Sequence, residues 1–505
     1  MDAPESVDVL VVGAGLSGIG IAYYLQRDLP GSSYAIVEAR GASGGTWDLF
    51  RYPGVRSDSD LHTFGYQFRP WRSPRSIADA DSILRYLRET AAEYGIDQRI
   101  RYRTRVEGAA WSSADARWTV TVADADTGQQ SELTCRWLCC AAGYYRYDQG
   151  FTPSFGGTER FAGPVVHPQH WPDDLDYAGK RVVIIGSGAT AVTLVPALAA
   201  TAAHVTMVQR TPSYVLPVPT RDKLNARLTR LIGAGRAFAV TRRLNIFRQV
   251  ALWRLCQKYP LAARKVIRDI NAKQLPDGYP VDEHFNPPYG PWDQRMCIVP
   301  DGDLFRAIRD GSATVVTGEV ETFTEDGVLL RDGRPVPADV IVTATGLNVQ
   351  AMGGIRLTVD GEPVRLPETV AYKGTMLSGV PNCNFVFGFT NASWTLRVGP
   401  LAEHLTRLLR YLDEHGYDAV RPTDPGPRMP VRPLLDLSSG YLTRALGDLP
   451  RQGVSGPWRT APYYHADARM LRRPVNGPEL EFSRRPAGQQ AAAAAGPGSQ
   501  PHPFG

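Results

Sequence analysis

Two glycine-rich turns of the chain have the spacing that binds the pyrophosphate of a dinucleotide. The first, GAGLSG, occupies residues 13–18, and the second, GSGATA, occupies residues 186–191. Between them lies FAGPVVHPQHWP, which has the pattern F-x-G-x-x-x-H-x-x-x-W-P. One such turn says little, but two turns with this string between them predict an enzyme that passes electrons between two nucleotide cofactors. The specified positions of the string are Phe161, Gly163, His167, Trp171 and Pro172.

The first turn lies between a strand and a helix, as its motif requires. Residues 7–12 are almost all apolar, which is typical of a buried parallel strand, and a helix is predicted over residues 19–27. In such a turn Gly13 allows a tight bend, Gly15 admits a pyrophosphate against the backbone, and Gly18 lets the helix pack closely. The free N–H groups at the start of the helix then favour phosphate binding.

The second turn lies in a unit of the same kind. A strand is predicted over residues 180–185 and a helix over residues 193–200. Gly186 and Gly188 form the bend, and Thr190 beside them is a further candidate for cofactor binding.

The two units differ at the position expected to meet the ribose. Glu38 ends the strand after the first turn, where a carboxylate accepts hydrogen bonds from free ribose hydroxyls and repels a 2′-phosphate. FAD or NAD therefore fits the first site. The second unit has Arg210 and Thr211 instead, and an Arg beside a hydroxyl suits a 2′-phosphate. The second site is therefore predicted to prefer NADPH.

The composition is that of a globular protein with two or three domains. The chain has 505 residues, of which 43% are hydrophobic. Its net charge is +5, which we take as spread along the chain. We expect no basic tract that would bind nucleic acid. No apolar run reaches the roughly 18 residues of a membrane-spanning helix, and the first strand starts too early for a signal peptide. A cytoplasmic location is therefore expected. The six cysteines, none in C-x-x-C, are expected to be reduced core residues.

The order of the patterns predicts how the chain is organised. Residues 43–58, crowded with Gly, Pro and aromatic residues, predict a loop that lines a cofactor. Helical patterns over residues 223–232 and 245–258 predict a helical insertion. Strands ending at Gly143 and Gly346 are expected to carry the chain out of the two nucleotide-binding units. The predicted fold is α/β, with two Rossmann-like domains and this insertion. The expected divisions are an FAD-binding domain (1–146 and 351–485), an NADP-binding domain (147–212 and 293–350), the insertion (213–292) and a disordered tail (486–505).

Two other patterns are not taken as functional. His167 and His170 form H-x-x-H, but they lie in a proline-broken stretch without a nearby Cys or carboxylate set, so no metal site is expected. Cys139 and Cys140 are adjacent, whereas a redox dithiol normally needs C-x-x-C.

Taken together, these motifs make the chain resemble a Baeyer–Villiger monooxygenase, a class B flavin monooxygenase. The family string matches FAGPVVHPQHWP at every specified position, and a second motif, G-G-x-W-x-x-x-x-Y-P-G-x-x-x-D, matches residues 44–58 without a gap. The resemblance extends to about residue 485 and is closest to the bacterial subgroup that contains the ethionamide-activating monooxygenase. The strings that carry this finer resemblance are LFRYPGVRSDSD, HPQHWPDDLDY, IGSGATAVTLVPALA, NPPYGPWDQRMCIVP and NASWTL.

The resemblance implies roles for individual residues. Arg295 is similar to the active-site arginine over the flavin, and Asp58 would orient it. His167 would couple the nicotinamide to domain positions, while Asn391 and Trp394 are candidates for the substrate pocket. Relatives often have Lys directly before the arginine, to bind the 2′-phosphate, whereas this chain has Gln294. The implied FAD residues are Gly13, Gly15, Gly18, Glu38, Trp47 and Asp58, and the implied NADPH residues are Gly186, Gly188, Arg210 and Thr211.

The implied reaction inserts one oxygen atom of O₂ beside a ketone carbonyl, through a C4a-peroxyflavin, to give an ester or lactone. A fixed guanidinium suits it because Arg keeps its charge and stabilises developing negative charge. Trp171 followed by Pro172 favours this ketone-oxidising branch. Oxygenation of a sulfide, thioamide or amine on the same scaffold remains open, as does a flavin- and NADP-binding protein that does not oxygenate.

Overall fold

The chain forms two sheets with helices on their faces, and each sheet is built around one glycine-rich turn. The computed structural model describes residues 5–73, 75–389, 391–435 and 439–485. The predicted tail, residues 486–505, lies outside the described residues. The sequence predicts two dinucleotide-binding units in one α/β fold, and each of the two sheets belongs to one such unit.

The first sheet has nine strands and contains the strand that enters the first turn. That strand pairs in parallel with the strand ending at Val37 on one side and with the strand ending at Cys140 on the other. Cys383–Phe385 pairs in parallel with the end of Gln130–Cys140. The other eight strands lie in the order Glu362–Pro363, Arg356–Val359, Thr104–Ser112, Arg117–Asp124, Gln130–Cys140, Glu5–Val12, Tyr34–Val37 and Ile100–Arg101.

The second sheet has five strands, all parallel, and contains the strand that enters the second turn. Parallel sheets are buried on both faces, and the central strands here are apolar and buried. Its strands lie in the order Ala313–Thr317, His204–Gln209, Arg181–Ile185, Val340–Thr343 and Val165–Val166. The smaller sheets are formed by Val215–Val218 with Cys297–Pro300; by Val320–Thr324, Gly327–Leu330 and Pro335–Pro337; by Ala371–Tyr372 with Met376–Leu377; by Ala419–Pro422 with Leu480–Ser483; and by Val431–Pro433 with Arg451–Gly453.

The helices cover the sheets and build the insertion. Thr395–His415 packs on Leu16–Asp28 beside the first sheet, and three long helices between residues 223 and 272 form the predicted insertion. The α-helices are Leu16–Asp28, Thr46–Leu49, Leu61–Phe64, Ala80–Glu93, Ala189–Leu198, Lys223–Ile232, Ala234–Lys258, Pro260–Ala272, Val281–His284, Asp303–Arg309, Thr395–His415, Gly440–Ala445 and Tyr464–Leu471.

Both turn helices begin earlier than the sequence predicts. They start at Leu16 and Ala189, directly after the turn glycines, because Gly15 and Gly188 already act as extended N-cap residues. The second helix also ends at Leu198 rather than at residue 200. The apolar periodicity on which the prediction depended becomes clear only after the first helical turn.

The chain crosses between the two sheets twice, and the two crossings pair with each other. The first is residues 144–151 and the second is residues 345–350. Backbone hydrogen bonds join them from Gln350 to Tyr144, from Arg146 to Asn348 and from Phe151 to Gly346. The side-chain amide of Asn348 adds bonds to the carbonyls of residues 149 and 150. The connection is therefore a short ladder rather than two independent strands.

The net charge is not spread along the chain, and this expectation was wrong. Residues 223–272, which form the three long insertion helices, contain twelve Lys or Arg and one acidic residue, Asp269. The total of +5 hides this because the rest of the chain has more acidic than basic residues. All six cysteines are free and buried, as expected. In the described ranges, none of the helices is long and apolar enough to cross a membrane.

Candidate active site between the two glycine-rich turns

One large cavity lies where the parallel strands of both sheets end. Its volume is about 2530 Å³, whereas pockets for single small ligands are about 300–1,000 Å³. Carboxyl ends of parallel strands are the usual ligand sites of such sheets. Most of the site residues predicted from the sequence line it. They are Gly13, Gly15, Glu38, Trp47, Asp58, Gly186, Gly188, Thr190, Arg210, Thr211, Arg295, Asn391 and Trp394.

The remaining predicted residues lie outside this lining. Gly18, Gly163 and Phe161 are sites of close packing. A Cβ on Gly18 would lie 1.9 Å from the Gly13 carbonyl oxygen, so only glycine allows the helix to start here. Gly163 is similar, since a Cβ there would lie 2.3 Å from the carbonyl oxygen of Asp339. Phe161 is buried against Phe323.

His167, Trp171 and Pro172 are also outside the lining. The Nδ1 of His167 accepts a hydrogen bond from the Gln169 N–H, at 3.2 Å, and its Nε2 donates to the Gly346 carbonyl, at 3.0 Å. Both ring nitrogens are satisfied by a neutral ring, and burial lowers the pKa of His167. Trp171, followed by Pro172, packs edge-on against Tyr177.

The first turn forms an open phosphate cradle. Gly13 has φ +105°, a conformation that favours glycine. Gly15 faces Gly45, since a Cβ on Gly15 would lie 3.5 Å from the Gly45 Cα. Glu38 is buried and accepts hydrogen bonds from the N–H groups of Ala14 (2.8 Å) and Arg40 (2.9 Å). Burial raises the pKa of Glu38, and these bonds oppose that effect. A carboxylate has about four lone-pair sites, so Glu38 keeps capacity for ribose hydroxyls.

The second turn has the same shape and more open space in front of it. Gly186 has φ +138°, and a Cβ there would lie 2.2 Å from the Ala344 carbonyl oxygen. A Cβ on Gly188 would meet no described atom within 4 Å. The hydroxyls of Thr190 and Tyr52 hydrogen-bond to each other, and burial raises the pKa of Tyr52 to about 12. Arg210 is exposed at the cavity edge.

Arg295 and Asp58 meet in the cavity between the two turns. One terminal nitrogen of Arg295 lies 3.6 Å from a carboxylate oxygen of Asp58, and both side chains are about one-third exposed or slightly more (34% and 40%). Arg295 is held by its neighbours in sequence. A tight turn precedes it, with Trp292 at φ +75°, and the strand Cys297–Pro300 follows it and pairs with Val215–Val218.

The loop that carries Asp58 is fixed to the start of the helix Ala80–Glu93 and to the residues just before it. The Ser57 N–H bonds the Ala78 carbonyl, at 2.9 Å, and the Ser57 hydroxyl closes a turn with Ser59. The preceding residue, Arg56, forms an ion pair with Asp303 at the start of a helix beside the second sheet. The loop therefore joins the two sheets at the point where Asp58 meets Arg295.

Three tyrosines around Arg295 were missed by sequence reasoning. The hydroxyls of Tyr144 and Tyr145 are 2.8 Å apart, and Tyr441 hydrogen-bonds to Tyr144. The negative charge that these tyrosines would carry if ionised, Tyr144 above all, raises the pKa of Arg295, with Asp58 contributing less. Burial raises the pKa of Tyr145 to about 12, so its hydroxyl remains protonated at neutral pH. The run Tyr144–Tyr145 directly after Gly143 was a usable signal, whereas Tyr441 had none.

The candidate substrate residues lie in the same lining, and Trp394 is beside these tyrosines. The Trp394 ring stacks on Tyr144, with ring centroids 5.1 Å apart, and its Nε1 donates to the Ser17 hydroxyl, at 3.0 Å. The Asn391 amide donates to the Pro462 carbonyl, at 2.8 Å, which holds this stretch at the cavity. Trp394 therefore links the first turn to the tyrosines near Arg295.

The residues present fit two dinucleotides. Both glycine turns leave room for a phosphate against the backbone, and both turn helices lack a side-chain cap at their first N–H groups. The Arg295 Nε is buried without a hydrogen-bond partner among the described residues. Fold and cavity thus define a class of protein with two dinucleotide sites that face one reaction space.

Comparison with known proteins identifies the family. Residues 72–351 match the flavin-binding monooxygenase-like family, and residues 11–73 match an NAD(P)-binding Rossmann-like domain. The FAD-containing monooxygenase EthA of Mycobacterium tuberculosis strain H37Rv is 50% identical over 485 residues, which cover 96% of this chain and 99% of that protein. The chain therefore belongs to the flavin-binding monooxygenase family.

Solved structures agree with the fold. An oxidized steroid monooxygenase bound to NADP has a TM-score of 0.74 at 21% identity, covering 95% of this chain and 100% of that chain. Cyclohexanone monooxygenase bound to ε-caprolactone has a TM-score of 0.72 at 21% identity, with the same coverage. The predicted α/β fold with two dinucleotide-binding domains is confirmed. The chain is a flavin-dependent monooxygenase, and the predicted cofactor pair agrees with the FAD of the relative and the NADP of the structural neighbour.

Proposed function

We propose that this enzyme uses FAD and NADPH to insert one oxygen atom of O₂ beside a ketone carbonyl, giving an ester or lactone. The observation that carries the proposal is the meeting of Arg295 and Asp58 at 3.6 Å in the cavity between the two glycine-rich turns. Bound FAD would supply the activation of O₂, which protein side chains cannot perform.

The chain's own residues supply position and charge. Arg295 keeps its proton at any assay pH and presents a planar set of donors to negative charge that develops in the reaction. Asp58 holds the guanidinium from one side and leaves the buried Nε free of protein partners. Tyr144 and Tyr145 remain neutral hydroxyl donors beside it, because burial raises the pKa of each.

The two cofactors would be held by different residues. Gly13, Gly15 and Glu38 would hold the pyrophosphate and ribose of FAD, with Trp47 and Asp58 at its edge. Gly186, Gly188 and Thr190 would hold the pyrophosphate of NADPH. Arg210 and Thr211 would hold its 2′-phosphate, because a guanidinium forms charge-assisted bonds to phosphate.

The alternative is oxygenation of a sulfide, thioamide or amine at the same site. It is supported by 50% identity with a monooxygenase of the subgroup that the sequence resembles most, since that resemblance implies sulfur oxidation as well. A cation that stabilises an oxyanion at a carbonyl does not prevent a soft heteroatom from accepting the oxygen atom at the same site. Both reactions are therefore compatible with Arg295 and Asp58.

The test uses the purified holoenzyme with matched substrates. A cyclic ketone and a sulfide of similar size are each incubated with NADPH and O₂, while NADPH loss, oxygenated product and hydrogen peroxide are quantified together. Ester formation at the rate of NADPH loss supports the main proposal. Sulfoxide without ester supports the alternative. NADPH oxidation that yields only peroxide with every substrate contradicts both and leaves a flavin reductase.

A further inference from the structure

The helices between residues 223 and 272 expose apolar side chains that the rest of the protein buries. Of the fifteen exposed large apolar residues in the described chain, ten lie between Leu224 and Val266. We call the solvent-facing side of these helices the insertion surface. Its most exposed apolar residues are Leu231 (78%), Phe247 (63%), Leu255 (55%), Leu261 (79%) and Val266 (56%). Exposed apolar side chains that cluster in one part of a protein commonly mark an interaction site.

The same surface is strongly basic. Twelve Lys or Arg against one Asp give residues 223–272 a formal charge of +11, whereas the whole chain has +5 and the remainder therefore has −6. Arg268 pairs with Asp269 and Asp282. Arg236 and Arg243 are exposed and have no acidic partner within the described residues.

Apolar and basic side chains share one face of the longest insertion helix. On Ala234–Lys258, the exposed residues Val240, Phe247 and Leu255 are seven and eight residues apart, which places them along one side. Arg236 and Arg243 lie within one turn of Val240 on the same side. The opposite side is buried and includes Phe238, Ile246 and Cys256, which contribute to the protein interior.

We propose that the insertion surface docks this enzyme on an anionic phospholipid bilayer. A basic face with exposed Leu, Ile and Phe binds such surfaces by burying its apolar side chains while its cations meet the headgroups. A symmetric contact with a second copy would oppose two basic faces, and like charges disfavour it. A nucleic acid would satisfy the cations but would leave Phe247, Leu255 and Leu261 without apolar partners.

The proposed docking also places lipid next to the cavity. The helix Ala234–Lys258 presents Asn245, Gln249 and Leu252 to the cavity, while Phe247 and Leu255 face outward. The docked helix would stand between the bilayer and the reaction space. This proposal concerns binding alone and is independent of which substrate the enzyme oxygenates.

Vesicle co-sedimentation of the FAD-loaded protein tests the proposal. Binding is expected to vesicles of phosphatidylcholine and phosphatidylglycerol in equal amounts, with much weaker binding to phosphatidylcholine alone. Because each basic group near an anionic surface contributes about fivefold to binding, the double variant Arg236→Ser and Arg243→Ser should bind at least about tenfold more weakly. The control for charge is Arg428→Ser, an exposed arginine outside the insertion, which should bind like the parent.

A second double variant tests the apolar side chains of the insertion surface. Phe247→Ser with Leu255→Ser should also weaken binding to the mixed vesicles, whereas Val454→Ser, an exposed apolar residue elsewhere, should not. FAD absorbance and melting temperature confirm that each variant is folded. Unchanged binding of the Phe247 and Leu255 variant, or equal affinity for a DNA duplex, would reduce the surface to a general polyanion site and overturn the proposal. A shift of this variant from oligomer to monomer would instead assign the surface to self-association.

Discussion

Arg295 is surrounded so that its charge is fixed while its donors remain available. One carboxylate lies 3.6 Å from it, three tyrosines lie around it, and its Nε lacks a hydrogen-bond partner among the described residues. Unsatisfied buried donors are costly in a folded protein, so they are usually explained by a ligand or a catalytic role. We therefore regard Arg295 as the residue whose change separates oxygen transfer from cofactor binding.

Arg295→Ala should leave FAD bound, since it does not touch the Gly13 turn, and should nearly abolish oxygen transfer. The loss of one placed electrostatic stabiliser typically costs about 10²–10³ in rate. NADPH oxidation should persist, and the O₂ that the variant consumes should appear as hydrogen peroxide. Product and peroxide are quantified in parallel, with Arg444→Ala, a cavity arginine packed on the Phe151 ring, as control. Arg295→Lys should restore activity only in part. Product formation at the parent rate would exclude Arg295.

Arg210→Ala should weaken the binding of NADPH more than the binding of NADH. The lost charge-assisted bond to a 2′-phosphate should raise the KM for NADPH about tenfold and leave the KM for NADH almost unchanged. Steady-state NADPH and NADH oxidation measure this. Arg331→Ala, a cavity arginine that pairs with Glu319, is the matched control. Equal effects on both cofactors would remove Arg210 from the 2′-phosphate site.

At the scale of the element, the two glycines of the second turn have separate functions. Gly186 is required by the backbone, because its φ is positive and a side chain would collide with the Ala344 carbonyl. Gly188 has ordinary extended φ and open space around its missing Cβ. Gly186 is therefore needed for the fold, whereas Gly188 leaves space for a ligand in front of the turn.

Gly188→Ala should fold normally and bind NADPH more weakly, because its methyl group points into open space. Gly186→Ala should lower the melting temperature, since strained φ and a contact of 2.2 Å must both be relieved. Thermal unfolding and the KM for NADPH distinguish the two variants. A Gly188→Ala protein with unchanged KM would show that the dinucleotide does not approach this turn.

Within the helix Thr395–His415, His404 is buried, and its one opposing interaction, with the backbone of Leu471, favours the protonated ring only weakly. Burial, with lesser effects of Lys373 and Arg407, lowers the pKa of His404 well below its usual value. The unfolded chain takes up this proton near about pH 6.5, and the folded chain does so only at lower pH. Stability is therefore lost as the pH falls below about 6.5.

His404→Leu should reduce this acid sensitivity, because it removes one group that the unfolded state protonates first. The free energy of unfolding, measured in urea at about pH 7 and about pH 5, should fall less in this variant than in the parent. His465→Leu changes an exposed histidine and serves as control. The same fall in both proteins would show that His404 is already protonated in the folded state.

At the scale of the whole molecule, the two dinucleotide units are joined by a hydrogen-bonded ladder, and the string FAGPVVHPQHWP contacts both strands of that ladder. His167 bonds the Gly346 carbonyl on one crossing, and Gln169 bonds the carbonyls of Arg146 and Tyr147 on the other. The string thus contacts both crossings without lining the cavity. Its effect on the reaction must pass through the relative position of the two units.

His167→Ala should keep FAD bound and uncouple NADPH oxidation from oxygenation. Removing the ring frees the Gly346 carbonyl and opens space beside Gly150, so the second unit is held less firmly. The peroxide formed per NADPH should rise severalfold, while flavin content remains that of the parent. His170→Ala, an exposed histidine in the same string, is the control. Coupling equal to the parent in His167→Ala would restrict the string to a structural role.

The sequence predicted much of the fold because the informative motifs are local. Gly13, Gly15 and Gly18 specify a strand, a turn and a helix within a short stretch, and Glu38 or Arg210 follows at a fixed distance. The helix Lys223–Ile232 was predicted at its observed bounds because its apolar periodicity is regular. The starts of the two turn helices were missed, since glycine N-caps leave no periodic signal.

What the sequence by itself determined, then, is the pair of turns, the two dinucleotide units and the family to which the chain belongs. Only the tertiary structure brought Arg295 to Asp58, placed Tyr441 beside them and exposed Arg236 and Arg243 beside the apolar side chains of the insertion surface. The physical reason is the range of the interactions. Turn geometry depends on neighbours in the chain, whereas contacts between distant residues depend on how two sheets and an insertion pack, which no local pattern encodes.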